Sequence, residues 1–163
     1  MPEHDLNLLI DCARAAGTVA LGYTGPSAKR WDKPDDAGPV TEADLAVNTL
    51  LHQRLVDARP DYGWLSEESD DSAVRLNKSS VFIIDPIDGT RSFIEGSDTW
   101  SHSLAIAQDG KITAAVVFLP MLDRLFAASL GGGATLNGER ITASEISDLN
   151  GATVLATKPV MAS

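Results

Sequence analysis

The hydrophobic period changes once along this chain, and that change limits the fold more than any single motif does. Over residues 5–22, Leu6, Leu9, Ile10, Ala13, Ala16, Val19 and Ala20 recur at three- and four-residue steps, the pattern of an amphipathic helix. Gly22 to Pro26 should end it. Pro34, Gly38 and Pro39 mark a polar connection, and "TEADLAVNTLLHQRLVDARP" then predicts a second helix over about 42–58, stopped by Pro60. From residue 62 strands take over. The runs "YGWLS", "SVFIID", "SHSLAIAQ", "KITAAVVFLP" and "RLFAASL" are separated by Gly, Asp or Pro, and the Asn-Gly of "LNGERI" predicts a tight hairpin. Two helices followed by a largely antiparallel sheet predict a layered α/β or α+β domain. With 163 residues, 44% hydrophobic, the chain can bury one core and form one domain.

Charge and composition exclude several functions. The net charge of −10 leaves no basic stripe to displace counterions from a nucleic-acid polymer. No apolar run approaches the roughly 18 to 20 residues of a membrane span, and "MPEHDLNLL" lacks the basic start and apolar stretch of a signal peptide, so a cytoplasmic protein is expected. Cys12 is the single cysteine and sits in an apolar helical run, where a buried, inert thiol is expected. The acidity serves solubility. It also repels phosphorylated ligands, and a divalent metal held by clustered carboxylates is the usual way to invert the local sign.

Such a cluster stands at "VFIIDPIDGT", residues 81–90. An apolar strand runs into Asp85, Pro86 stiffens the corner, and Asp88 brings a second carboxylate before Gly89 and Thr90. Asp-Gly alone reads as a turn. The two carboxylates with the Ile87 carbonyl between them also form a set of hard oxygen donors of the kind Mg²⁺ takes. Gly89 allows close backbone approach, and a short helix opening at Thr90 would turn free amides toward a phosphate.

Two further acidic stretches lie upstream. In "WLSEESDD", Glu67 and Glu68 follow a short strand, where alternation should turn at most one of them toward the pocket of Asp85; a solvated acidic loop is the plainer reading. In "PVTEADL", Thr41 followed three residues later by Asp44 predicts a capping box, and an Asp there can also orient a hydroxyl. His4, His52 and His102 carry no assigned role, the last two as packing residues on a helix and a strand. Gly131, Gly132 and Gly133 lack the Lys-Ser or Lys-Thr of a phosphate loop and read as strand corners.

Asp-Gly-Thr after an apolar strand resembles the haloacid dehalogenase phosphatases, but their nucleophilic Asp position is Pro86 here, so an aspartyl-phosphate is not supported. Taken together, "VTEAD" at 40–44, "LSEES" at 65–69, "DPIDGTRSF" at 85–93 and "GGGATLNGERI" at 131–141 resemble the lithium-sensitive, magnesium-dependent phosphatases of the inositol monophosphatase superfamily. The resemblance covers nearly the whole chain and implies an αβαβα sandwich of the sugar-phosphatase type.

It also implies roles. Glu67, Asp85 and the Ile87 carbonyl would hold one Mg²⁺, and Asp85 and Asp88 would share a second. Thr90 with Asp44 would orient and activate the attacking water, with Glu67 as part of the catalytic set. The Gly89 and Thr90 amides would receive the phosphate, beside Glu67, Ile87 and Asp88, while Thr41 and Glu68 would support the ligands from behind. Two or three Mg²⁺ ions are implied, with Mn²⁺ able to substitute and Li⁺ inhibitory. The implied partner is a small phosphorylated substrate, and a homodimer the expected assembly.

"LSEES" and "DPIDGTRSFI" resemble the 3'(2'),5'-bisphosphate nucleotidases, which release AMP and phosphate from adenosine 3',5'-bisphosphate. An inositol-1-monophosphatase or related sugar phosphatase is the alternative, and an inactive fragment or non-catalytic binding member the alternative of another class. The family's chains continue past this point and supply a Trp-Asp motif, for which Trp31-Asp32, lying before the second helix, is a poor substitute. Residues 1–163 are therefore expected to be an N-terminal metal-binding phosphatase domain, incomplete at its C-terminus. Such a chain should hold the first metal site, weaken the second, expose an apolar face and have little activity alone. A last strand is expected at Val154 to Ala156.

Overall fold

The structure is a computed structural model, and it describes residues 2–23, 25–34 and 38–153. Helix α1 (Pro2–Ala20) and helix α2 (Glu42–Ala58) form one layer. They pack on each other and on one face of a sheet whose strands are β3 (Gly63–Ser66), β4 (Ser80–Asp88), β5 (Ser101–Gln108), β6 (Lys111–Leu119), β7 (Arg124–Ser129), β8 (Gly133–Leu136) and β9 (Glu139–Ile141), hydrogen-bonded in that order. A separate antiparallel hairpin, β1 (Arg30–Asp32) with β2 (Pro39–Thr41), leads into α2, and a short helix α3 (Thr90–Ile94) follows β4. All neighbours in the large sheet are antiparallel except β3 and β4, which run parallel. The fold is α+β, and no described helix is long and apolar enough to cross a membrane.

The period change explains the layers. The α1 residues Leu9, Ala13, Ala16 and Ala20 and the α2 residues Val47, Leu51 and Leu55 are all fully buried, against Phe82, Ile84, Leu104, Ile106 and Val116 of the sheet. Burial of one large aliphatic side chain contributes about 2 kcal/mol, and this seam is part of one continuous core that also takes in Ile87, Phe93, Trp100 and Phe118. Alternation sends Ile83, Ala105, Ala115 and Val117 to the opposite face, where Ile83 and Val117 are each 37% exposed. Arg75 and Leu76 lie at one margin of that face, beside Ile83 and Ala107.

Several expectations are adjusted. The connection holding Pro34 and Gly38 is bracketed by the β1–β2 hairpin, which was not foreseen. β4 does not stop at Asp85 but runs to Asp88 through an irregularity in its pairing with β5. The hairpin at Asn137-Gly138 is present, both residues having positive φ as a tight turn requires. Cys12 is buried, and that burial pushes its thiol up to about 11. Val154 to Ala156 lies outside the described residues.

Candidate functional site

Parallel pairing is what gathers the acidic residues. Because β3 and β4 run the same way, with Ser66 opposite Ile84, the segments leaving their C-terminal ends emerge together. The Glu67 amide donates to the Ile84 carbonyl at 3.1 Å, which sets Glu67 beside Asp85. The two carboxyl groups lie within hydrogen-bonding reach of each other, and burial, the Glu67 charge and the Asp88 charge together push Asp85 up to about 7. An uncompensated pocket of this kind calls for a cation.

One is supplied by the chain itself. Lys33, at the end of the β1 strand segment, has its Nζ 2.8 Å from Glu67 Oε1 and 2.5 Å from Glu68 Oε1. Burial alone would lower the lysine, but its hydrogen bonds to both carboxylates hold it above its ordinary value. Burial raises Glu68, against the pull of Lys33. Both glutamates lie past the end of β3, where strand alternation no longer applies; Glu67 lies beside Asp85, and Lys33 ties it to Glu68.

Across the site α2 begins with the predicted capping box. Thr41 Oγ1 accepts from the Ala43 and Asp44 amides, and Asp44 Oδ2 accepts from the Thr41 amide at 2.8 Å and from Thr41 Oγ1 at 2.5 Å. The second oxygen is free to do more. Asp44 Oδ1 accepts from Thr90 Oγ1 at 3.3 Å, so capping and hydroxyl orientation coexist in one carboxylate. Burial raises Asp44, although its hydrogen bonds from Thr41 and Thr90 oppose the shift. Thr90 Oγ1 also reaches the Ile87 carbonyl at 3.0 Å.

Helix α3 is turned out of the strand by Gly89, its N-cap, at φ 88° and ψ 40°. An added Cβ would meet only ordinary contacts near Trp100, so the left-handed backbone is the reason for glycine there. No side chain caps this helix, and Thr90 stands one residue too late to do so. On the other side Gly25 fits under α3 so tightly that a Cβ would lie 1.8 Å from the Phe93 carbonyl oxygen.

Glu67, Asp85, Asp88 and the Ile87 carbonyl thus share one end of the sheet, facing Thr90 and Asp44, with Gly89 between. Among the described residues no three Asp, Glu, His or Cys side chains by themselves form a metal cage. The donor set fits a hard divalent ion nonetheless, because its members are all oxygens, one of them a carbonyl, and because Asp85 is held in a field of like charge.

Two contributors escaped sequence reasoning. Asn48 donates to the Glu68 carbonyl and to Ser69 Oγ at 3.2 and 3.0 Å and accepts from Ser66 Oγ at 2.7 Å, stapling the acidic turn to α2. Its place one helical turn after Asp44 was a usable signal. Lys33 had none, since its partners lie 34 and more residues away. His52 packs edge-on against Trp64 with centroids 4.8 Å apart, and Trp31 is 46% exposed on β1.

Comparison with known proteins gives the family and the fold. The sequence model described as the inositol monophosphatase family matches residues 1–162. A histidinol-phosphatase of Chlorobaculum parvum is 37% identical over 155 residues, 94% of this chain and 59% of that protein. An inositol-1-monophosphatase of Rhizobium meliloti is 36% identical over 137 residues, 83% of this chain and 51% of that one. Among solved structures, the extragenic suppressor protein SuhB of Bartonella henselae superposes with a TM-score of 0.81 at 32% identity, over 88% of this chain and 55% of its own. The chain therefore spans a little over half the length of the relatives it matches. Matched along nearly its full length, it belongs to the inositol monophosphatase family.

Proposed function

We propose that this chain carries the metal-binding and water-orienting half of a Mg²⁺-dependent phosphomonoester hydrolase. The observation that carries the reading is the convergence of Glu67, Asp85, the Ile87 carbonyl and Asp88 at the C-terminal ends of β3 and β4, opposite the Thr90–Asp44 hydrogen bond. A bound divalent cation supplies neutralisation of phosphate charge, acidification of water and stabilisation of the leaving oxygen. Glu67, Asp85 and the Ile87 carbonyl would hold one such ion, and Asp85 with Asp88 a second.

The remaining work falls to side chains and backbone. Thr90 Oγ1 has one proton and two lone pairs; while it donates to Asp44 Oδ1, a lone pair can accept a proton from a water beside it. Asp44 then holds the proton passed on by Thr90, and its buried position favours keeping it. The Gly89 and Thr90 amides, at the uncapped start of α3, are suited to a phosphate oxygen. Lys33 holds Glu67 Oε1 and so competes with the ion for that carboxylate.

The sequence favours a 3'(2'),5'-bisphosphate nucleotide as substrate. The names of the histidinol-phosphatase and inositol-1-monophosphatase relatives favour a second reading, the monophosphate of a small polar alcohol. A phosphate-release panel of adenosine 3',5'-bisphosphate, inositol 1-phosphate and histidinol phosphate distinguishes them, run with and without Mg²⁺ on this chain and on one extended to its relatives' length. Mg²⁺-dependent release by the extended chain is the expected result. Metal binding without turnover of any phosphomonoester would point to a non-catalytic member.

A further inference from the structure

The metal-site end of β4 is irregular in a specific way. Asp85 pairs with Ser103 and Asp88 with Ser101, so Pro86 and Ile87 together face one residue of β5, His102. Such a bulge disrupts the ladder locally and re-aims the groups around it. Here the same stretch carries Asp85, the Ile87 carbonyl that meets Thr90, and Asp88. Whatever holds this bulge sets the spacing of the oxygen donors.

His102 contacts it directly. Its Nδ1 lies 2.5 Å from the Pro86 carbonyl oxygen, in a wholly buried position between the rings of Trp100 and Phe118. A carbonyl only accepts, so Nδ1 carries the proton and Nε2 is left with a lone pair. That lone pair has no partner: among the described residues, Nε2 is the one buried side-chain nitrogen or oxygen without a hydrogen bond. Burying an unpaired acceptor is costly, and an apolar side chain would fill the same place without that cost. The benefit of an imidazole here lies in its one bond to Pro86.

We propose that His102 is a positioning residue for the divalent-cation site: through the Pro86 carbonyl it holds the bulge that sets Asp85, the Ile87 carbonyl and Asp88 at ligating distance from one ion. This inference rests on the metal-binding reading above. It gives His102 a role outside the packing function that its alternation with apolar neighbours suggested. Partners standing behind metal ligands commonly govern affinity by about 10- to 100-fold.

The test compares the parent chain with His102→Asn, whose side-chain N–H can stand in for Nδ1–H, and His102→Leu, which fills the space and donates nothing. Mn²⁺ affinity is measured by calorimetric titration, and metal-free melting is measured alongside. His102→Leu should bind Mn²⁺ about tenfold or more weakly, while His102→Asn should stay within about threefold of the parent. A purely structural histidine would lower metal-free melting in both variants without separating their affinities, and that result overturns the proposal. In the parent chain, ¹⁵N NMR should show a protonated Nδ1 whose resonance moves on adding Mg²⁺. An unprotonated Nδ1, or one unmoved at saturation, overturns it even if His102→Leu fails to fold. A parent chain that binds no Mn²⁺ sinks the metal reading itself, whereas a parent that binds together with an equally tight His102→Leu sinks only the role of His102.

Discussion

Lys33 and Glu67 are joined by a 2.8 Å ion pair at the place where the site's own carboxylates most need a cation. The lysine also meets Glu68 and is 15% exposed, so it acts as an internal counterion for the metal-free pocket. Removing it should have opposite effects on the two states. Lys33→Gln should lower metal-free stability by about 1 kcal/mol, a value discounted for the half-exposed Glu67, and should strengthen Mg²⁺ binding by removing a competitor. Urea unfolding in chelator and a Mg²⁺ titration measure the two effects, and weaker metal binding in the variant would show that Lys33 assists the ion.

Asp85 is the carboxylate on which the metal reading depends most. Ligand binding confined to the native state raises stability by about 2.7 kcal/mol at a hundredfold excess over the dissociation constant. Melting of the parent chain should therefore rise with Mg²⁺ or Mn²⁺. Asp85→Asn should abolish that rise while leaving the metal-free protein at least as stable, because it removes a charge held against Glu67 and Asp88. A parent melting point indifferent to both ions would refute the site.

The raised Asp85 also predicts a pH dependence. Folded and metal-free, it keeps its proton up to about pH 7, whereas the unfolded chain releases it near pH 4. The folded state binds the extra proton between these values, so this contribution to stability is complete at the acid end and lost as pH rises through about 7. A divalent ion competes with the same proton, so its affinity should grow with pH and level off above about 7. Melting in chelator and Mg²⁺ affinity of the parent chain, each followed from about pH 5 to 8, should move in opposite directions, and Asp85→Asn should flatten the melting profile.

Thr90 separates chemistry from stability. Since Gly89 and not Thr90 is the N-cap of α3, Thr90→Ala gives up the bonds to Asp44 and the Ile87 carbonyl but no helix cap. The expected cost in stability is about 1 kcal/mol. In a chain shown to turn over a phosphomonoester, the same change should reduce kcat by about 100-fold or more with metal affinity nearly unchanged, and Thr90→Ser should restore most of it. Equal turnover in parent and Thr90→Ala would remove the hydroxyl from the mechanism.

Local order in the chain determined much of this protein. Helix period, Pro60 and the capping pair Thr41 and Asp44 made α2 legible to the residue, because these signals act within one or two turns. The runs "SVFIID" and "SHSLAIAQ" likewise located β4 and β5, whose Phe82, Ile84, Leu104 and Ile106 are buried. The acidic residues of the site were legible as candidate ligands, since Asp85 and Asp88 alone read as a turn but with the other motifs resemble a metal-dependent phosphatase. Their arrangement was not. That Glu67 lies beside Asp85 and is tied to Glu68 by Lys33 follows from the parallel pairing of β3 with β4 and from a contact across 34 residues, and neither leaves a local trace. The bulge at Pro86 and Ile87 depends on the register with β5, so His102 looked like one more alternating strand residue until its ring met the Pro86 carbonyl. Short-range propensities act along the chain, whereas the spacing of ligands is set by which strands lie side by side and in what register, and only the folded chain decides that.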